Sequence, residues 1–213
     1  MSQEDDFLID DLLGTPRDGL ETEHMPAGRA LRRAARRRYE NAAKGRAVAE
    51  QVGAMPSAGE SIHLVSNGKY DCWSVVKAAL QWLGKADELY CSTWTLCRPV
   101  VVELFALCDR GALDGRRVSF LSGLYFKRRE TSLYAAMLEG LRQRGGRYIA
   151  FQSHAKVTLL CNPAAAIVIE GSANLNDNPR FEQYVITNDR ALYDFHRAWM
   201  EEVLARGTEL PHD

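Results

Sequence analysis

The sequence predicts an α/β sandwich, a mixed β-sheet flanked by helices, preceded by an acidic tail and a basic helix. Three observations carry this reading. Between residues 62 and 151, short β-type runs alternate with amphipathic helical runs. From 153 to 188, strand runs follow one another with no helix between them, and the chain then closes on one amphipathic helix. Alternation calls for strands joined by crossover helices, and consecutive strands call for antiparallel pairing, so the sheet is expected to be mixed.

The elements follow in order. Ile62 to Val65 is a short strand ended by Asn67-Gly68. Asp71 to Leu83 is a helix with Trp73, Val76, Ala79, Leu80 and Leu83 on one side, stopped by Gly84. Glu88 to Trp94 is a strand, and Pro99 to Cys108 is a helix with proline in its first turn. Arg117 to Leu121 is a strand ended by Ser122-Gly123. Glu130 to Arg144 is a helix carrying Leu133, Ala136, Met137 and Leu141 inward and ended by Gly145-Gly146. Arg147 to Phe151 is the next strand. The last helix, 190 to 206, turns Leu192, Phe195, Trp199 and Val203 to the core. No internal repeat is visible.

The 213 residues suit one ordinary domain with an appendage, and the apolar share of 46% is that of a globular protein. No apolar run approaches a membrane span and the acidic start is unlike a signal peptide, so a cytoplasmic protein away from membranes is expected. The five cysteines are odd in number and form no Cys-x-x-Cys pair; they read as reduced core residues. The five histidines are scattered without ligand spacing, so neither metal nor other cofactor is expected.

The net charge of −1 hides a strong asymmetry. Residues 1 to 24 hold eight acidic side chains against Arg17 alone; residues 29 to 46 hold eight basic ones against Glu40 alone. The segments expected are an acidic tail (1–26), a basic helix with linker (27–55) and the compact domain (56–213). In the tail, Leu8/Ile9 and Leu12/Leu13 have the spacing of a short docking helix for a protein partner, set against a plain solvated tail. Ala27 to Val52, free of proline and rich in Ala and Arg, reads as helix. Its arginines, among them Arg32, Arg33, Arg36 and Arg37, form either a solvated charged face or a contact for nucleic-acid phosphates.

The chemistry concentrates in residues 153 to 182. His154 and Lys156 are two apart on an extended run, so both leave one face. Ser172 and Asn174 repeat the spacing beyond the apolar run from Ala165 to Ile169, and Glu182 opens the run from Tyr184 to Ile186. An imidazole, an ammonium, a hydroxyl, an amide and a carboxylate converging on one spot suit an oxyanion such as phosphate. Singly, each has a plainer explanation as a core, surface or turn residue; the joint pattern is what points to a site. The loops Ser92 to Thr95 and Ser122 to Tyr125 follow strands at the ends where open α/β sheets bind ligands. Lys127, Arg128 and Arg129 follow the second loop and offer phosphate contacts, or an exposed basic helix start. His196, among Phe195 and Trp199, reads as structural.

His154-x-Lys156 followed by Gly171-Ser172-x-Asn174 resembles the phospholipase D superfamily, including its small bacterial nucleases. The motif covers about thirty residues, and the strand-helix order extends the likeness over most of residues 60 to 206. The usual Asp five residues after the Lys is Cys161 here, and the gap to Gly-Ser is about three residues longer. In this it resembles the branch of metal-independent restriction endonucleases that uses a downstream Glu, a place Glu182 fits. The resemblance implies a phospholipase D-like α/β sandwich and a metal-independent phosphodiesterase, a nuclease for DNA or RNA. It implies that one His attacks phosphorus, that a second His protonates the leaving oxygen, and that one motif per chain means a homodimer. Lys156 and Asn174 would hold the non-bridging oxygens, Ser172 would donate, and Glu182 would orient the imidazole, with Glu170 the runner-up. The alternative is a protein of the same fold kept for binding nucleic acid, with little or no catalysis.

Overall fold

In the computed structural model the described residues are 36–41, 48, 52–66, 70–176 and 180–207. The acidic tail, Arg32 and Arg33 lie outside them. Eight strands form a single sheet in the order β1-β2-β8-β7-β6-β3-β4-β5. The strands are β1 (Arg36–Asn41), β2 (Glu60–Ser66), β3 (Glu88–Thr93), β4 (Val118–Gly123), β5 (Arg147–Phe151), β6 (Val157–Cys161), β7 (Ala166–Gly171) and β8 (Glu182–Asn188). The helices are α1 (Cys72–Leu83), α2 (Arg98–Asp109), α3 (Leu124–Arg129), α4 (Thr131–Gln143) and α5 (Arg190–Arg206). Strands β3, β4 and β5 pair parallel, as expected where helices intervene. Strands β2, β8, β7, β6 and β3 pair antiparallel in that order. The sheet is mixed, with helices on both faces.

Local chemistry explains the helix limits. Asp71 lies outside α1 as its cap, accepting from the Ser74 N–H at 2.8 Å, and Gly84 closes the helix at φ 69°. Asp189 caps α5 in the same way, through the Leu192 N–H at 2.9 Å. Strands β3, β4 and β6 are buried along their whole length, because both faces of the central sheet are covered. On one face Trp73, Leu104, Phe126 and Met137 from the first four helices pack on Leu89, Phe120 and Ile167. On the other, Tyr193, Met200 and Val203 of α5 pack on Tyr90, Leu159 and Val168.

The basic segment differs from expectation. Arg36–Asn41 is not helical: it is β1, paired parallel with β2 so that Arg38 stands beside Ile62. Arg36 and Arg37 therefore lie on the edge strand of the sheet. A favourable Ala/Arg helix propensity amounts to tenths of a kcal/mol per residue, and pairing with a preformed sheet edge overrides it. Further on, Val48 and Val52 are helical, and both are buried in the same core as Ile62.

Candidate active site

The five motif residues come from different elements that all end at one edge of the sandwich. His154 and Lys156 lie in the connection from β5 to β6, not on a strand, with Lys156 immediately before the first residue of β6. Ser172 follows β7 directly, Glu182 opens β8, and Asn174 sits beyond Ser172 against the end of β3. The antiparallel register makes this meeting unavoidable. Val157 stands opposite Glu170 and Gly171 opposite Tyr184, so the start of β6, the end of β7 and the start of β8 are neighbours.

Gly171 is required by close approach. A Cβ there would lie 2.4 Å from the Gln183 carbonyl oxygen and 3.1 Å from the Tyr184 ring. The bare glycine lets Ser172 N–H reach Gln183 O at 3.1 Å. Gly171→Ala is expected to push β7 off β8 and lower stability by about 1–3 kcal/mol. An unchanged denaturant midpoint would contradict the close approach.

The Lys156 ammonium lies 2.9 Å from His154 Nδ1 and 3.5 Å from Nε2, and it donates to His154 O at 2.9 Å. Ser92, the buried penultimate residue of β3, holds the loop by donating to Ala155 O at 3.1 Å. Desolvation and then the Lys156 charge push the His154 pKa below its ordinary 6.5. Burial also lowers that of Lys156, with Glu182 opposing. The sign for His154 is that the neutral imidazole persists to lower pH than in a free peptide. A ring-proton NMR titration should therefore give a midpoint below 6.5, and one above it would contradict the arrangement.

Glu182 engages Ser172. Its carboxylate accepts from the Ser172 hydroxyl, which in turn accepts from the Gln183 N–H at 3.1 Å. Glu170, the runner-up, points to the opposite face, 3.2 Å from His196 Nε2. His196 Nδ1 accepts from the Trp199 indole at 3.1 Å, which leaves the Nε2 proton for Glu170. His196 is thus tied into the α5 layer, away from His154. Asn174 turns its Oδ1 to the Trp94 N–H at 3.1 Å, so its Nδ2 is the group left for an anionic oxygen.

Two aromatic residues from the ligand-side loops lie against the site, and their mutual stacking was not marked by any sequence pattern. The Trp94 ring stacks on Tyr125 at 4.9 Å and 20°, and leans on the His154 ring at 5.1 Å and 47°. Gly123 makes room for this, since a Cβ there would lie 2.4 Å from Trp94 Cδ1. Arg129 donates to the Tyr125 hydroxyl at 2.6 Å, while Lys127 and Arg128 stand exposed on the same short helix α3. Cys161 is remote from all of these. It ends β6, roughly 16 Å along the strand from Lys156, so its identity does not bear on the phosphate-binding groups.

No family model and no curated protein matches the sequence. Solved structures do. A polyphosphate kinase from Porphyromonas gingivalis superposes with a TM-score of 0.50 at 15% identity, over 68% of this chain and 26% of the kinase. A phosphatidylserine synthase from Haemophilus influenzae Rd KW20 gives 0.40 at 12% identity, over 68% of this chain and 38% of the synthase. The chain thus spans about a quarter of the kinase's length. The kinase likeness shows the fold: this is a phospholipase D-like α/β sandwich. Among the described residues no helix is long and apolar enough to cross a membrane.

Proposed function

We propose that the protein is a metal-independent phosphodiesterase, a nuclease acting on DNA or RNA, and that it works as a homodimer. One observation carries the reading. Three separate chain segments deliver an imidazole and an ammonium, a hydroxyl and an amide, and a carboxylate to one edge of the sheet, with imidazole and ammonium 2.9 Å apart. Such a set neutralises and orients a phosphodiester. In the free chain the ammonium occupies an imidazole lone pair. A phosphate oxygen, the stronger acceptor, draws it away and releases the nitrogen for attack.

In the reaction one His154 forms an N–P bond as the P–O bond to the leaving group breaks. The partner subunit's His154 gives that oxygen a proton. Water then attacks the phosphohistidine, loses its proton to the partner imidazole, and returns the first imidazole free. Lys156 and Asn174 Nδ2 hold the non-bridging oxygens. Ser172 turns its single proton from Glu182 to the phosphate, and Glu182 tempers the charge of Lys156. The exposed cations Lys127, Arg128 and Arg129, with Arg36 and Arg37 on the edge strand and Arg32 and Arg33 before it, are assigned to the nucleic-acid backbone.

A second reading, a binding protein of low turnover, is favoured by one feature: the His154 imidazole faces the Lys156 ammonium while the Glu182 carboxylate accepts from Ser172. Cleavage of single-stranded DNA, duplex DNA and RNA in excess EDTA separates the two. Turnover supports the enzyme. Salt-sensitive binding without turnover would overturn it in favour of the binding protein.

A further inference from the structure

Beside Tyr125, on the side of the Trp94 stack away from His154, lies a cleft of about 440 Å³ that the phosphodiester chemistry does not use. Arg98, Tyr125, Arg129, Glu130, Ser132 and Asn176 are among the residues that line it. Its volume is that of a small-ligand site. Three features bear on its use. Tyr125 is 44% exposed even though its ring stacks on Trp94. The stack runs Tyr125–Trp94–His154, so the exposed ring is two ring contacts from the attacking imidazole. Arg98 stands exposed at the rim with no ion-pair partner among the described residues, and Arg129 lies over the Tyr125 ring, 5.7 Å from its centroid, with Glu130 at 3.8 Å. Gly123 is spent on holding this stack in place.

We propose that this cleft is a site for an unpaired base, so that the substrate is single-stranded nucleic acid. The naming of a substrate rests on the phosphodiesterase reading; the binding site does not. The nucleotide next to the scissile phosphate lays its base on Tyr125, and Arg98 and Arg129 take the flanking phosphates. Every base has a π-face, so such stacking recognises single strands without regard to sequence. A duplex keeps its bases stacked inside and cannot offer one. Lipid headgroups carry the phosphate but no ring to cover Tyr125.

The test is binding, independent of turnover. Full-length His154→Asn protein is titrated by fluorescence anisotropy with a labelled thymidine oligonucleotide, with an abasic strand of equal length, and with a duplex. Stacking of one base is worth roughly tenfold in affinity. The thymidine strand should bind about tenfold more tightly than the abasic strand and more tightly than the duplex. Tyr125→Phe should keep that preference and Tyr125→Ala should erase it, and exposure of the side chain makes both variants tolerable to the fold. Equal binding of the abasic strand or of the duplex would overturn the proposal, as would a preference that survives Tyr125→Ala. Phosphatidylglycerol vesicles bound through Tyr125 in place of oligonucleotides would overturn it in favour of a lipid surface. A parent protein that binds with the expected preference but cleaves nothing would leave the base site standing and remove the phosphodiesterase.

Discussion

His154→Ala should reduce phosphodiester cleavage by roughly 10⁴-fold or more, with the fold and the dimer intact. The magnitude follows from symmetry. In a homodimer with one motif per chain, the same substitution removes the nucleophile from one subunit and the general acid from the other. Groups that act as a unit in this way lose nearly everything at the first deletion. Structure should survive, because the His154 side chain is exposed and its contacts are the Lys156 ammonium and the Trp94 ring. Lys156→Ala is the instructive comparison. It should cost less, since it leaves both imidazoles, and it should bring the His154 titration midpoint back toward the ordinary value, because the neighbouring charge that lowers it is gone. Equal rates for parent and His154→Ala protein would refute the mechanism.

The dimer is open to the same variant. When subunits of parent and His154→Ala protein exchange freely in equal amounts, roughly a quarter of the dimers carry two imidazoles. Activity should fall to about that fraction of an equal total of parent protein. A fall to one half would mean that each chain works alone, and a second His within the chain would then have to be found. His196 is a poor choice for it, being buried and engaged by Glu170 and Trp199.

What could be read in the sequence divides along the range of the interactions concerned. Helix α1 was legible nearly to the residue, because its cap Asp71, its stop Gly84 and its inward face are all local. The motif residues were legible as a set, because β6, β7 and β8 are adjacent in both chain and sheet. The pairing of Arg36–Asn41 with β2 is a contact across a connection, and local propensity pointed the other way. The Ser172–Glu182 hydrogen bond depends on which way two side chains turn at a strand end, which spacing does not specify. The Trp94–Tyr125 stack joins the ends of two parallel strands through a ring contact that needs Gly123 between them. The loops holding Trp94, Gly123 and Tyr125 were visible as ligand-side turns; their mutual packing was not.

The far end of β6 carries the second large effect. The position where the resembling family places an Asp is Cys161, and it is buried. A carboxylate is nevertheless present, supplied from the neighbouring strand, since Glu88 of β3 is the register partner of Cys161. Glu88 accepts from the Tyr193 hydroxyl at 3.0 Å, pairs with Arg117, and lies 3.3 Å from Arg197 Nε, with Cys161 Sγ at 4.0 Å. This cluster bolts α5 to the centre of the sheet. Its carboxylate side chain is only 9% exposed, while the two arginines are about half exposed and rehydrate in part when it is lost. Glu88→Ala is therefore expected to cost about 2–4 kcal/mol, somewhat less than a wholly buried pair. That corresponds to roughly 5–15 °C in melting temperature. If the role belongs to the place rather than to the residue, Cys161→Asp should destabilise the parent, by setting two carboxylates against each other, and yet recover stability in the Glu88→Ala background. The coupling between the two substitutions would then be favourable, as a double-mutant cycle measures directly. A double variant no more stable than Glu88→Ala alone would show that the carboxylate cannot move across the strand pair, and that Cys161 is a plain core residue.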